Sequence, residues 1–298
     1  MKNTIYALGF FDGVHLGHQA LLSECRELAD KHGCSAGVVT FAAHPDTLVR
    51  GNTPRLINSS KDRERLLRDH FHMEILLNLP FDEAMRSMPW EIFLDMLRRH
   101  YDAAGFVCGE DFRFGHLGAG NAKLLREYCN RENIPCTVVP DQIVDGIRVS
   151  STYIRQQLED GDMATAVKFL GHPHMLSGTV IHGKALGRKL GFPTANLQLP
   201  EGLAVPRFGV YCCSCRIDGK RYPAVTNIGI RPTVEGSGIT VEPWILDYSG
   251  DLYGREITLE FHYFLRPEKK FPTLEALREE IYRNAEETRN YLKTMFTF

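Results

Sequence analysis

The hydrophobic pattern changes rhythm near the middle of the chain, and that change limits the fold more than any other feature. Up to about residue 140, short apolar runs at Ile5–Phe11, Ser35–Phe41, Ile75–Leu79, Ala104–Cys108 and Pro135–Val139 alternate with helical patterns. In the first helical stretch Leu21, Leu22, Cys25, Leu28 and Ala29 share one face, and Gly33 follows as a C-cap. Ser59 with Asp62 starts a helix to near Phe71, Pro89 opens WEIFLDMLRRH, and Asn121–Asn133 is a fourth pattern. Apolar strands alternating with helices predict an α/β fold with a parallel sheet covered on both faces. Ligands then bind at the carboxyl ends of the strands, where Gly9–His18, His44-Pro45 and Gly109–Gly115 all fall.

Ser150-Ser151-Thr152 begins another helix, Met163–Leu170 a short one, and Gly171-His172-Pro173-His174 ends the helical pattern. The domain boundary is expected there, giving residues 1–172 and 173–298. Beyond it strands dominate. Gly209–Ile217 and Ile257–Leu265 alternate, and Asp218-Gly219 between two such runs reads as a hairpin turn. A small antiparallel β-barrel is predicted, closed by a terminal helix from about Thr273 with Leu274, Leu277, Ile281 and Leu292 on its apolar side.

Composition excludes some functions. A net charge of −2 gives no general attraction to nucleic acid or anionic membrane, and no apolar run has the ~20 residues of a membrane span. The N-terminal stretch lacks the small-residue cleavage site of a secretory signal. The expectation is a cytoplasmic protein, a monomer or weak homo-oligomer, acting on small molecules. Eight cysteines could suggest a metal site, but in a strand Cys212 and Cys215 of YCCSCRI face apart, and no second pair stands at zinc spacing. Buried thiols in a reducing compartment are expected.

The chemistry of the first half concentrates in GFFDGVHLGH, Gly9 to His18. A helix mouth with free N–H groups attracts phosphate. Gly13 and Gly17 allow close backbone approach, and His15 and His18, three residues apart, can address one phosphate. This stretch resembles the signature of H-x-G-H nucleotidyltransferases. With CGEDFRFG (Cys108–Gly115) and SSTYIR (Ser150–Arg155) the match resembles the adenylyltransferase module of bacterial bifunctional riboflavin kinase/FAD synthetases. The resemblance implies a Rossmann-like nucleotidyltransferase domain that joins FMN to the AMP of ATP, releasing pyrophosphate. It implies ATP contacts from Gly9, Phe11, Asp12, Gly13, His15, Gly17, His18, Ser150, Ser151, Thr152 and Arg155, with His15 and His18 catalytic. It implies flavin-side contacts from His44 and Asp111. Phe10, where the family commonly has Asn, and Ala42-Ala43 before His44 depart from the pattern.

In the second half, GKALGRKLGFPTAN (Gly183–Asn196) is a glycine-rich basic stretch suited to phosphate. Gly178-x4-Gly183-Lys184 starts like a P-loop, but Ala185 replaces its hydroxyl residue and a strand pattern surrounds it. The stretch resembles the riboflavin kinase signature, with PTAN, Pro193–Asn196, its most specific part. Thr226–Gly229, Arg231–Thr233, VEPWILD, Asp251–Gly254 and Leu265–Glu268 extend the match over this half. The resemblance implies that Gly183, Lys184, Arg188, Thr194 and Asn196 hold ATP, and that Thr194 and Asn196 ligate Mg2+. It implies that Asn227 and Arg231 face the flavin and that Glu242 is the general base. Trp244 stands where many relatives carry His, and Tyr211, Trp244 and Phe271 receive no role. The function implied is riboflavin to FMN to FAD. The alternatives are a relative with one active half and a non-catalytic flavin- or nucleotide-binding regulator.

Overall fold

The structure is a computed structural model that describes residues 3–45, 54–183, 187, 191–233 and 236–295, with backbone alone at 231–233 and 236–237. Lys184 and Arg188 lie outside the described residues, as does the Arg231 side chain.

The first half opens with β1 (Thr4–Leu8), α1 (Leu16–His32), β2 (Ser35–Phe41) and α2 (Ser60–Arg65), which runs into a π-turn at Leu66–His70. Then come β3 (Ile75–Leu79), α3 (Glu83–Ser87), α4 (Trp90–Tyr101) and β4 (Ala103–Gly109). A small ladder of β5 (Arg113–Phe114) and β6 (Gly120–Asn121) leads to α5 (Ala122–Arg131) and β7 (Cys136–Val139). A hairpin of β8 (Ile143–Val144) and β9 (Ile147–Arg148) follows. Five strands form one sheet in the order β3-β2-β1-β4-β7, and every neighbouring pair is parallel. Ile5 and Ala7 face α1, whose Cys25 thiol donates to the Ile5 carbonyl at 3.2 Å. Tyr6 and Leu8, on the other face, join the core with Phe93, Leu97, Leu125 and Tyr128. Helices therefore cover both faces, as alternation predicts. The strand order reverses at β1, so the ends of β1, β2 and β4 border one crevice.

Next come α6 (Ser151–Asp160) and α7 (Met163–Leu170). The barrel is built of β10 (His174–Ile181), β11 (Asn196–Gln198), β12 (Gly209–Ile217), β13 (Lys220–Thr233), β14 (Gly236–Ile245) and β15 (Glu256–Arg266). These six strands close in the order β10-β11-β14-β13-β12-β15 and pair antiparallel throughout. The Asp218-Gly219 turn has φ of 49° and 77°, as a tight two-residue hairpin requires. The chain ends in α8 (Leu274–Met295), capped by Thr273, whose Oγ1 accepts the Ala276 N–H at 3.2 Å. Leu292 is buried on its inner side, but Leu274 is exposed, because the first turn lies beyond the barrel contact. All eight cysteines are free thiols.

By contact, residues up to 56 with 60–151 form one compact unit, and 57–59 with 152–298 form the other. The three-residue strip is held in the second unit by Asn58, whose amide donates to the Met175 carbonyl at 3.4 Å.

Candidate active sites

The first site is built on a strained turn. Between β1 and α1, Phe11 has φ 61°, Gly13 82° and Val14 41°. Two non-glycine residues in the left-handed region cost free energy and persist only when their surroundings fix them. Phe11 and Val14 are fully buried, which supplies that constraint. The turn delivers His15 as the N-cap of α1. Its Nδ1 accepts the His18 backbone N–H at 3.3 Å. An accepting Nδ1 cannot carry a proton, so the His15 proton sits on Nε2. The two imidazoles stack, centroids 3.7 Å apart and planes 14° from parallel. Gly17 lies beneath them, and a Cβ there would come within 3.2 Å of the His15 ring. The His18 imidazole is held well below its ordinary pKa by burial, then by His15 and Arg63, so it is neutral. Its Nδ1 is buried with no hydrogen-bond partner among the described residues.

The second helix start meets the same turn. Ser151, first residue of α6, donates its hydroxyl to the Asp12 carbonyl at 2.9 Å. Asp12 is itself 3% exposed. Further along α6, Arg155 Nη2 donates to Thr152 Oγ1 at 3.3 Å. His44, just past β2, meets the Phe10 ring edge-on at 4.6 Å. Asp111, just past β4, is ion-paired to Arg148, whose Nε also reaches Asp141 at 2.6 Å.

Sequence reasoning missed two cations here. Arg148 precedes Ser150 by two residues, a position that could have marked it. Arg63, in the charge-rich stretch SKDRER, reads as solvated yet is 1% exposed.

The second site is a cavity of about 330 Å3. Thr194, Asn227 and Glu242 line it, with Asn227 and Glu242 directly opposite each other on β13 and β14. Phe192, Val210, Val225, Trp244, Phe271, Leu277 and Ile281 give it an apolar wall. Sequence reasoning gave Trp244 and Phe271 no role, and both line the cavity; Tyr211 is a core residue, its hydroxyl bonded to the Arg207 carbonyl. Further polar groups come from Arg266, Glu268, Lys269 and Asn284. The Arg266 guanidinium is fixed by Asn284 Oδ1 at 3.0 Å and Glu280 at 3.4 Å, and Asn227 donates to Glu268 at 3.4 Å.

A second cavity, of about 380 Å3, lies against Thr194, Pro193, Ala195, Pro243, Ile245, Tyr248 and Tyr253. Glu242 and Trp244 line the first cavity, while Pro243 and Ile245 line the second. Alternate residues of a strand point to opposite faces, so the two cavities flank β14, and Thr194 borders both. Asn196 heads β11 next to Gly183. Among the described residues no three acidic, histidine or cysteine side chains gather as a metal site. Also among them, no helix is long and apolar enough to cross a membrane.

A parallel α/β unit with histidines at a helix mouth is followed by a closed barrel with two cavities, an arrangement with room for two separate sites of phosphate chemistry. The FAD synthetase family model matches residues 1–153, and the riboflavin kinase model matches residues 170–292. The bifunctional riboflavin kinase/FMN adenylyltransferase of Pseudomonas fluorescens is 37% identical over 284 residues, covering 94% of this chain and 90% of that protein. The protein of the same description from Bacillus subtilis is 33% identical, covering 98% and 93%. A solved structure described as a macrolide-efflux protein from Streptococcus pneumoniae superposes with a TM-score of 0.86 at 31% identity, over 97% of this chain and 94% of that one. The chain belongs to the family of bifunctional riboflavin kinases/FMN adenylyltransferases.

Proposed function

We propose the following division of labour. The chain converts riboflavin to FMN and FMN to FAD, the first step in residues 173–298 and the second in residues 1–172. ATP is the donor in both. The boundary lies close to where the riboflavin kinase match begins, at residue 170. The observation that carries the reading is the pair of cavities meeting at Thr194.

In the kinase half, the flavin ring takes the apolar cavity between Trp244, Phe271 and Ile281, and the nucleotide takes the other. Glu242 accepts the proton of the ribityl 5′-hydroxyl as that oxygen attacks the γ-phosphate. Asn227 and Arg231 serve the flavin side; Gly183, Lys184, Arg188, Thr194 and Asn196 serve the phosphates. Thr194 and Asn196 offer hard, neutral oxygen donors, which suit an ion that keeps waters and leans on substrate phosphates, so Mg2+ fits there. Bound there, Mg2+ supplies charge neutralisation for the transferring phosphoryl group.

In the adenylyltransferase half, the phosphate of FMN displaces pyrophosphate from the α-phosphate of ATP. No covalent enzyme intermediate is needed; alignment and charge stabilisation suffice. Gly9, Phe11, Asp12 and Gly13 in the turn, with Gly17 in the first turn of α1, contact ATP. His15 donates from Nε2 to the nucleotide phosphates. His18, neutral and buried, gains basicity when phosphate charge arrives. Ser150, Ser151, Thr152 and Arg155 hold the departing pyrophosphate, with Arg suited to it by its planar fork of donors. His44 and Asp111 border the flavin. The protein works in the cytoplasm as a monomer or weak homo-oligomer, a state that size-exclusion chromatography checks.

The test is direct. Incubated with riboflavin and Mg·ATP, the protein yields FMN and then FAD, separated by chromatography; absence of both sinks the reading.

A further inference from the structure

Arg63 is the largest fully buried side chain among the described residues. Its guanidinium has five N–H donors. Nη2 donates to the Phe41 carbonyl at 2.7 Å, and the Phe10 ring covers the group at 4.2 Å from its centroid. Nη1 is buried with no hydrogen-bond partner among the described residues. The Asp12 charge partly offsets a burial that pushes the guanidinium down to about 10. A buried cation with an unused donor costs several kcal/mol unless an anion meets it. A purely structural arginine would have its fork closed on a carboxylate.

The position says which anion. Phe41 ends β2, and Phe10 and Asp12 lie in the turn after β1, at the carboxyl ends of neighbouring strands where the sheet order reverses. His18 stands on one side, close enough for the Arg63 charge to act on it. His44 stands on the other side, against the edge of Phe10. Resting on the adenylyltransferase reading, this is the gap between the nucleotide phosphates and the flavin. We propose that Arg63 binds the phosphate monoester of the acceptor flavin, so that this half accepts FMN and rejects riboflavin, and that Phe10 is the cover the phosphate displaces. Phe10 is half-buried in the turn, and displacing its ring is the movement that would open the guanidinium beneath it. Its presence where the family commonly has Asn gains a reason: an aromatic face shields an unpaired guanidinium from water without satisfying it.

Steady-state adenylyl transfer tests the proposal in the full chain, with KM measured separately for FMN and ATP. Arg63→Met is expected to raise KM for FMN about tenfold or more, the loss of a charge-assisted bond, with KM for ATP and the riboflavin-to-FMN rate within about twofold. Its melting temperature without substrates should equal or exceed the wild type's, because removing an uncompensated buried charge is neutral or stabilising. Arg63→Lys keeps a point charge but cannot span both partners, and is expected to raise KM for FMN about threefold. An unchanged KM for FMN in folded Arg63→Met overturns the proposal, as does an equal rise in KM for ATP. If Arg63→Met does not fold, Arg63→Lys decides: a rise confined to FMN supports the proposal, and none overturns it. Wild-type protein that makes FMN but no FAD refutes the adenylyltransferase reading itself, and the assignment with it. That failure shows before any variant is read.

Discussion

Gly183 and Asn196 lie so close that a side chain at 183 would displace the asparagine: a Cβ there would sit 2.2 Å from the Asn196 amide nitrogen. The glycine thus leaves the Asn196 side chain its observed position, and that asparagine heads β11. Gly183→Ala is expected to push Asn196 aside and slow FMN formation by about tenfold or more, since small misplacements of a positioning group are costly. Conversion of added FMN to FAD should continue at the wild-type rate. Equal loss of both reactions would show a global defect instead.

Glu242→Gln removes a base and keeps its shape. Loss of general-base catalysis lowers rates by roughly a hundredfold or more, so FMN formation should nearly stop while FAD formation from FMN persists. His15→Ala with His18→Ala should give the reverse. Either variant losing both activities while folded would refute the assignment of one reaction to each half.

Ser151 ties the start of α6 to the Asp12 carbonyl. Ser151→Ala should lower stability by about 1 kcal/mol, the net worth of one hydrogen bond, seen as a drop in melting temperature. Adenylyl transfer should weaken more than that loss explains, because the turn is no longer anchored. Unaltered KM for ATP would count against the tie.

The barrel carries an acid sensitivity. Burial pushes His262 down to about 4 and His174 down to about 3, both from an ordinary 6.5. Below 6.5 the unfolded chain binds protons that the folded chain refuses. Stability is therefore full above 6.5 and declines as pH falls toward 4. For His262 alone the decline amounts to about 3 kcal/mol, at about 1.4 kcal/mol per pH unit. Thermal unfolding followed from pH 7 to 4 measures it. His262→Gln, which can keep the bond to Ser214, should flatten the slope. A slope unchanged by that substitution would place the sensitivity elsewhere.

Much of this was legible in the chain. Strand–helix alternation gave the parallel sheet because covered strands must be apolar throughout, and the Asp218-Gly219 turn marked a hairpin because both residues take positive φ there. Glu242 and Asn227 are opposite each other in the barrel, a relationship that only strand pairing creates. Arg63 was invisible because nothing in SKDRER distinguishes a guanidinium folded inward over Phe10 from one in water. Trp244 and Phe271 resisted assignment because aromatics suit a core and a ligand cavity equally. Leu274 misled for a related reason: helical periodicity says which side is apolar, not how far along the helix its partner extends.

Thr194 stands at the border of both barrel cavities, with β14 between them. On the proposed assignment, acceptor and donor would meet only at Thr194 and would otherwise keep to opposite faces of β14. Each substrate would then have a cavity of its own, and release of one product would not have to wait for the other.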